Sequence, residues 1–229
     1  MVEEPVRATK YMKTLWLRFT AALGPGVRAL LSLLTAVYFL ALAGHLTRTV
    51  DLYRWLPASA PQVCHGQIWR LVTYALLPAG LMDFVMNLIA LVLLGALLER
   101  HWTRGELWWC SSMAALGGGL AALLLWAPNS TPLTGAAPAI FGLLIAWAFI
   151  CGRDVVLVPV FGQVTVRQLV SVFAVVSLLG MFFSAGKVAA LTTAAGGLAG
   201  WLYLWLRQKW LLTRTSRTFQ SERINRLEL

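Results

Sequence analysis

The chain alternates long apolar runs with short polar breaks. A membrane-spanning helix needs about 20 mostly apolar residues. Six runs approach that length, at 29–46, 80–98, 107–126, 136–151, 169–183 and 188–206, and the fifth is the shortest. The pattern predicts one all-α, polytopic membrane domain of six helices over 29–206. A short segment, 1–28, precedes it, and a basic tail, 207–229, follows. The polar stretch from about Arg214 is expected to be poorly ordered. No internal repeat or low-complexity segment interrupts the series.

The breaks carry the topology. If the N-terminus lies inside, fifteen of the 19 Lys and Arg residues fall on the inner side. They include Arg7, Lys10, Lys13 and Arg18 near the start, and Arg207, Lys209, Arg214, Arg217, Arg223 and Arg226 at the end. Only Arg48, Arg54, Arg70 and Lys187 fall outside. Cytoplasmic loops are enriched in Lys and Arg, so both termini are predicted to be cytoplasmic, most simply at the cell (inner) membrane. The longest outer loop, 47–73, contains Trp55 and Trp69, which suit the interface. The outer loop 128–135 has no charge and is rich in turn residues. The loop 154–166 lies inside. Trp108, Trp109, Trp201, Trp205 and Trp210 read as an inner aromatic belt.

Composition agrees with a lipid environment. Hydrophobic residues make up 59% of the chain and charged residues 12%, against roughly a quarter charged in soluble domains. The net charge of +10 raises the question of nucleic acid. The basic residues flank apolar runs, however, so anionic headgroups of the lipid bilayer are the expected partner and no nucleic-acid role is expected. Cys64, Cys110 and Cys151 are odd in number and share no metal spacing. Neither a disulfide framework, a metal site nor a cofactor is expected. No cleavage pattern of small residues follows the first apolar run, so no removable signal peptide is expected.

Three local patterns carry chemistry. Trp69-Arg70-Leu71-Val72-Thr73 precedes the second helix. Pro78-Ala79-Gly80-Leu81-Met82-Asp83-Phe84-Val85-Met86-Asn87 opens it. Gly135-Ala136-Ala137-Pro138-Ala139-Ile140-Phe141-Gly142 opens the fourth. Ala194-Ala195-Gly196-Gly197-Leu198 in the sixth, and Gly95 with Glu99-Arg100 at the end of the second, are weaker companions. In order and depth these patterns resemble the rhomboid family of intramembrane serine proteases. Active rhomboids show Trp-Arg before the second helix, His-Ala-Gly and a later His and Asn at its start, Gly-x-Ser-Gly at the fourth and His-x-Gly-Gly-Leu in the sixth. The resemblance implies a six-helix rhomboid-like bundle. Asn87 matches, whereas Pro78 and Asp83 stand for the two upstream histidines, Ala137 for the serine, Pro138 for the glycine and Ala194 for the catalytic histidine.

That chemistry needs a nucleophile, a base to take its proton and donors for the oxyanion. A methyl at Ala137 cannot attack and one at Ala194 cannot accept a proton. A carboxylate at Asp83 would repel an oxyanion. Asn87 alone does no acyl transfer. His45, His65 and His101 all precede the third helix, and Ser130, Thr134, Ser184, Thr192 and Thr193 have no obvious partner. Four simultaneous replacements point to a natural pseudoprotease rather than a laboratory mutation.

The remaining polar features have two readings each. Asp83 is either functional, as intramembrane acids often are, or a wet carboxyl near the outer mouth bonded to Asn87 or a threonine. Arg70 braces the outer loop through main-chain carbonyls or is a headgroup-level cation. Trp69 anchors the depth of that loop. Gly196 and Gly200 form a small-xxx-small face toward the fourth helix, where Gly135 and Ala139 are small. Gly117-Gly118-Gly119 reads as a packing or kink feature. Small side chains at Ala137 and Ala194 predict a pocket between the fourth and sixth helices. Three functions follow. The first is a rhomboid-like pseudoprotease that binds transmembrane helices of client proteins through a site including Trp69, Arg70, Asp83 and Asn87. The second is an active rhomboid with atypical catalytic residues. The third, a small transporter or channel, would need midplane polar residues that the spans largely lack.

Overall fold

The computed structural model describes residues 23–48, 51–125, 132–158, 162–184 and 187–227, the last stretch by its backbone beyond Trp210. The Arg7, Lys10, Lys13 and Arg18 cluster, Ser130 and the side chains of Arg214, Arg217, Arg223 and Arg226 lie outside the described residues.

The first helix, α1 (Pro25–Thr47), begins on a proline at its first position, where the missing N–H costs nothing. It ends on Arg48 in the left-handed region, with φ 55°. Three short helices follow on the outer loop: α2 (Leu52–Trp55), α3 (Ala60–Cys64) and α4 (Arg70–Thr73), with a 3-10 turn at Tyr74–Leu76. Then come α5 (Leu81–Leu98), α6 (Arg104–Leu124) and α7 (Ala137–Ile150). A hairpin, β1 (Val155–Val158) and β2 (Gly162–Thr165), pairs antiparallel with Val155 opposite Thr165. The chain closes with α8 (Val166–Ser184) and α9 (Lys187–Leu227).

Among the described residues, four helices are long and apolar enough to cross a bilayer: α1, α5, α6 and the 187–210 stretch of α9. Helix α7 and the 166–180 stretch of α8 are apolar but shorter. This is an all-α polytopic membrane protein, with one small hairpin. The first five helices fall within a few residues of their expected places, and the sixth starts where expected but runs on to Leu227. Helix α6 starts earlier than expected because Thr103 and Glu106 form a capping box. Glu106 also pairs with Arg207, which ties the start of α6 to α9. Helix α9 runs unbroken in its backbone to Leu227. The hairpin was not expected either, although its first strand reads Val-Val-Leu-Val, the β-branched type that favours strands.

Helix α7 is the centre of the bundle. Pro138, Ala139, Phe141, Gly142, Leu143, Leu144 and Ala146 are all buried. It packs on α6, α9, α5 and α8, while α9 also packs on α6, and α1 leans on α5 and α6. One core joins Val27, Leu91, Leu98, Leu107, Phe141 and Leu204 across five helices. A smaller cluster of Ala58, Tyr74, Ala75, Ala115 and Ala139 seats the outer loop on α6 and α7. On the flank, Tyr38 of α1 stacks on Phe84 of α5 with centroids 4.2 Å apart.

Small residues set the approach of the central helices. A Cβ on Gly196 would fall 2.6 Å from Cβ of Pro138, and one on Gly200 2.8 Å from Cα of Gly142. Residues i and i+4 share a helix face, so Pro138 and Gly142 of α7 meet Gly196 and Gly200 of α9. The expected contact of the fourth and sixth helices is therefore present, but through Pro138 and Gly142 rather than Gly135 and Ala139. The glycine run of α6 is a packing feature. Gly117 lies against Ala195 and Ala199, Gly118 against Pro138 and Tyr74, and Gly119 against the backbone of Leu71.

Candidate active site

Helix α7 has 14 residues. At 1.5 Å per residue it is about 21 Å long, short of a hydrocarbon core of about 30 Å. One end therefore opens onto non-helical backbone at membrane depth, which is tolerated only where protein satisfies it. The structure does so from the outer loop. Gly135 N–H reaches Leu77 O at 2.9 Å and Tyr74 O at 3.2 Å. Ala58 and Leu133 exchange hydrogen bonds in both directions, at 3.0 and 2.8 Å. Gly135 has φ 101°, which a Cβ would disfavour. The tight turn it makes delivers Ala136 and Ala137 to the helix start.

The outer loop is itself held from within. The guanidinium of Arg70 is buried and donates to Pro57 O (3.0 Å), Arg54 O (2.8 Å) and Gln67 Oε1 (2.7 Å). Burial lowers its pKa, from a reference so high that the group stays charged. Thr73 Oγ1 adds a bond to Leu56 O at 3.3 Å. Tyr74 is fully buried and its hydroxyl donates to Ala115 O at 2.8 Å, fixing the loop to α6. Trp69 stands beside Arg70, about half exposed. Arg70 is thus the brace of the loop, with three of its five N–H donors on loop acceptors. Trp69 and Arg70 do not touch the helix start; they shape the roof above it.

Asp83 and Ala137 lie at that start, and Ala194 stands on α9, whose Gly196 contacts Pro138 there. Ala137 is the first residue of α7, half-buried. Ala194 is half-buried on α9, two residues from the Gly196–Pro138 contact. The carboxylate of Asp83 accepts the Ala79 N–H at 2.9 Å, so it caps the entry to α5 rather than bonding to Asn87 or a threonine. A Cβ on Gly135 would lie 3.2 Å from its Oδ2, which places Asp83 beside the turn into α7. Pro78 is fully buried behind it. Asn87, one turn further along α5, is also buried.

A helix start offers free N–H groups to an anion, but Pro138 removes one. At Ala137 there is no nucleophile, and at Ala194 no base. The neighbouring hydroxyls are spoken for: Thr192 and Thr193 both donate to Ala189 O, at 3.0 and 2.8 Å. The histidines sit elsewhere. His45 faces the ring of Tyr53, His65 reaches Pro61 O, and His101 lies 3.9 Å from Cys151 Sγ. Among the described residues, no group of three or more His, Cys, Asp or Glu could hold a metal.

The expected pocket between the fourth and sixth helices is not supported. At Pro138–Gly196 and Gly142–Gly200 the two helices are in direct contact. The residue that fills the space is Pro138, whose ring takes up volume that a glycine would leave. A cavity of about 130 Å3 lies instead on another face of α7, lined by Ala136, Ala139, Ile140 and Leu143 together with α1, α5 and α6. Sequence reading missed this cavity, because it is formed by the spacing of four helices and marked only by Asn87. It also missed Glu99 as a cap. That carboxylate, from the end of α5, accepts Gly26 N–H at 2.6 Å and Val27 N–H at 3.1 Å.

The family model of the rhomboid domain matches residues 65–210, well over half of the chain. No curated protein sequence matches the chain. The match begins on the outer loop, runs through α5, α6, α7 and α8, and ends in α9, so it covers the loop, the helix start and the Ala194 region alike. The chain belongs to the rhomboid family.

Proposed function

We propose that this protein is a rhomboid pseudoprotease: it keeps the scaffold, binds transmembrane segments of client proteins and does not cleave them. The observation that carries the reading is that alanines, Ala137 at the start of α7 and Ala194 on α9, stand at the positions where the family resemblance puts the serine and the histidine. Asp83 presents an acceptor and Pro138 withholds a donor at the same place, so an oxyanion would meet a like charge and fewer donors.

A client helix needs an apolar surface inside the bilayer. Helices α5 and α8 both supply one: Met82, Met86 and Leu93 on α5 and Val172, Val176 and Leu179 on α8 are exposed. The close neighbours of α8 are α7 and α9; the client is proposed to lie along α5 and α8. Asp83 and Asn87 lie on α5, and the Trp69-Arg70 loop precedes it. The protein resides in the cell membrane with six crossings and both termini inside. It acts by retaining, delivering or protecting its clients.

A serine-reactive fluorophosphonate tests the reading. The purified protein is expected to remain unlabelled, and crosslinks from a photoreactive group at position 137 in native membranes should recover spanning segments of intact partners. Stoichiometric labelling, or recovery of partners cut within the span, would overturn the proposal in favour of an active rhomboid with unorthodox residues.

A further inference from the structure

The cavity of about 130 Å3 lies between α1, α5, α6 and α7 beneath the outer-loop helices. Its floor is buried and apolar, with Leu34, Leu91, Ala139 and Leu143. Leu30 and Leu33 of α1 and Trp108, Ser111 and Ser112 of α6 are only half-buried. The cavity is therefore a slot that opens between α1 and α6, toward lipid. Its lining runs along α6 from Trp108 to Ala115 and along α7 from Ala136 to Leu143. Seven residues of helix rise about 10 Å, so the slot is elongated along the bundle.

The walls restrict the contents. Ser111 turns its hydroxyl back to Leu107 O and Trp108 O, at 2.9 and 3.1 Å. A cavity with few free polar partners stays dry, and an empty one forfeits dispersion contacts. The medium at the lip is hydrocarbon. An engineered apolar cavity of about 150 Å3 holds a benzene ring, so this slot takes roughly the last six carbons of one acyl chain.

Charge stands at the mouth. Arg104 lies one turn below Trp108 on the same face of α6, since residues four apart share a face. Its Cα is 3.2 Å from where a Cβ on Gly26 would fall, so the starts of α1 and α6 meet at that level. Arg104 is exposed and makes no ion pair among the described residues. Glu106 pairs with Arg207, and Glu99 spends its Oε1 on the N–H groups of Gly26 and Val27. Arg28 and Arg100 stand exposed within two residues of Gly26 and Glu99. A guanidinium matches the geometry of a phosphate.

We infer that the slot holds one acyl chain of an anionic phospholipid, whose phosphate pairs with Arg104. The lipid belongs to the leaflet in which α1 and α6 begin. The slot lies across α7 from the α9 contact: positions 136, 139 and 143 face it, whereas 138 and 142 face α9. It is separate from the Ala137–Ala194 centre and does not rest on the client-binding proposal.

A photoreactive lipid tests both halves of the inference. Phosphatidylglycerol with a diazirine near the end of one chain, added to the full chain in phosphatidylcholine nanodiscs, should label Ala139 or Leu143. Both are buried, so bulk lipid does not reach them. Phosphatidylcholine with the same reactive chain should label them about 3–10-fold less, the order by which one cation at headgroup level favours an anionic lipid. Glycerol 3-phosphate, which has the phosphate and no chain, should not compete. Arg104→Gln should erase the headgroup preference, and Arg104→Lys should keep it. Ser112→Phe, which fills the slot and keeps Arg104, should abolish labelling by both lipids. Equal labelling by the two lipids, competition by glycerol 3-phosphate, or labelling confined to exposed positions such as Phe39 and Leu120, would overturn the inference.

Discussion

Glu99 joins two helices with one carboxylate. Its Oε1 takes the N–H groups of Gly26 and Val27, which are orphans at the start of α1. Charge-assisted bonds at a helix N-terminus are among the stronger ones. Glu99→Ala should lower stability by about 1–3 kcal/mol, and Glu99→Gln, which keeps an acceptor, should recover part of the loss. Thermal unfolding in detergent measures both; equal losses would mean that the charge, not the acceptor, is what α1 needs. Ala137 and Ala194 yield to a similar argument. Restoring Ala137→Ser and Ala194→His supplies nucleophile and base but no donor beside Asp83. Each missing oxyanion donor costs about 10²–10³ in rate. Fluorophosphonate labelling of that double variant should therefore be about 10²–10³-fold slower than that of the triple variant that adds Asp83→His. Comparable rates would show that Asp83 lies too far from the reacting carbonyl to matter.

Helix contacts show which parts of the structure can be read from the chain alone. Gly196 and Gly200 are spaced for a close approach, and that approach exists. Their partner positions were misassigned, because helical phase at the start of α7 depends on where the turn at Gly135 ends. That turn is fixed by Tyr74 O and Leu77 O, more than fifty residues earlier in the chain. Apolar length revealed the six helices because each run is a local property. The cavity, the Glu99 cap and the loop's hold on Tyr74 are joint properties of distant segments. Tightness at the α7–α9 contact has a measurable cost. A Cβ at Gly196 meets the ring and backbone of Pro138, between 2.6 and 2.8 Å away. Gly196→Ala should destabilise by about 1–3 kcal/mol through overpacking. Gly180→Ala on α8 is the control: nothing lies within 4 Å of its added Cβ. There the better helix former should be neutral or stabilising by up to about 1 kcal/mol. Similar losses at both sites would argue against the close seam.

At the scale of the whole molecule, the three cysteines report topology without any mutation. Cys64 sits exposed on α3, in the outer loop that Arg70 braces, while Cys110 within α6 and Cys151 at the end of α7 are buried. Thiolate reactivity needs access to water, so a membrane-impermeant maleimide has one target in the folded protein. The Lys and Arg distribution puts Cys64 on the outer side and the end of α9 on the inner side. A maleimide applied to intact cells should add one label per chain, and inverted vesicles should stay unlabelled until permeabilised. Denaturation should then reveal the two buried thiols. Labelling confined to inverted vesicles would reverse the bundle. The labelled inner face would then carry the Ala137 entrance, and the client surface proposed between α5 and α8 would open toward the opposite leaflet. Because the start of α7 and Cys64 are held by the same loop, one labelling experiment orients both.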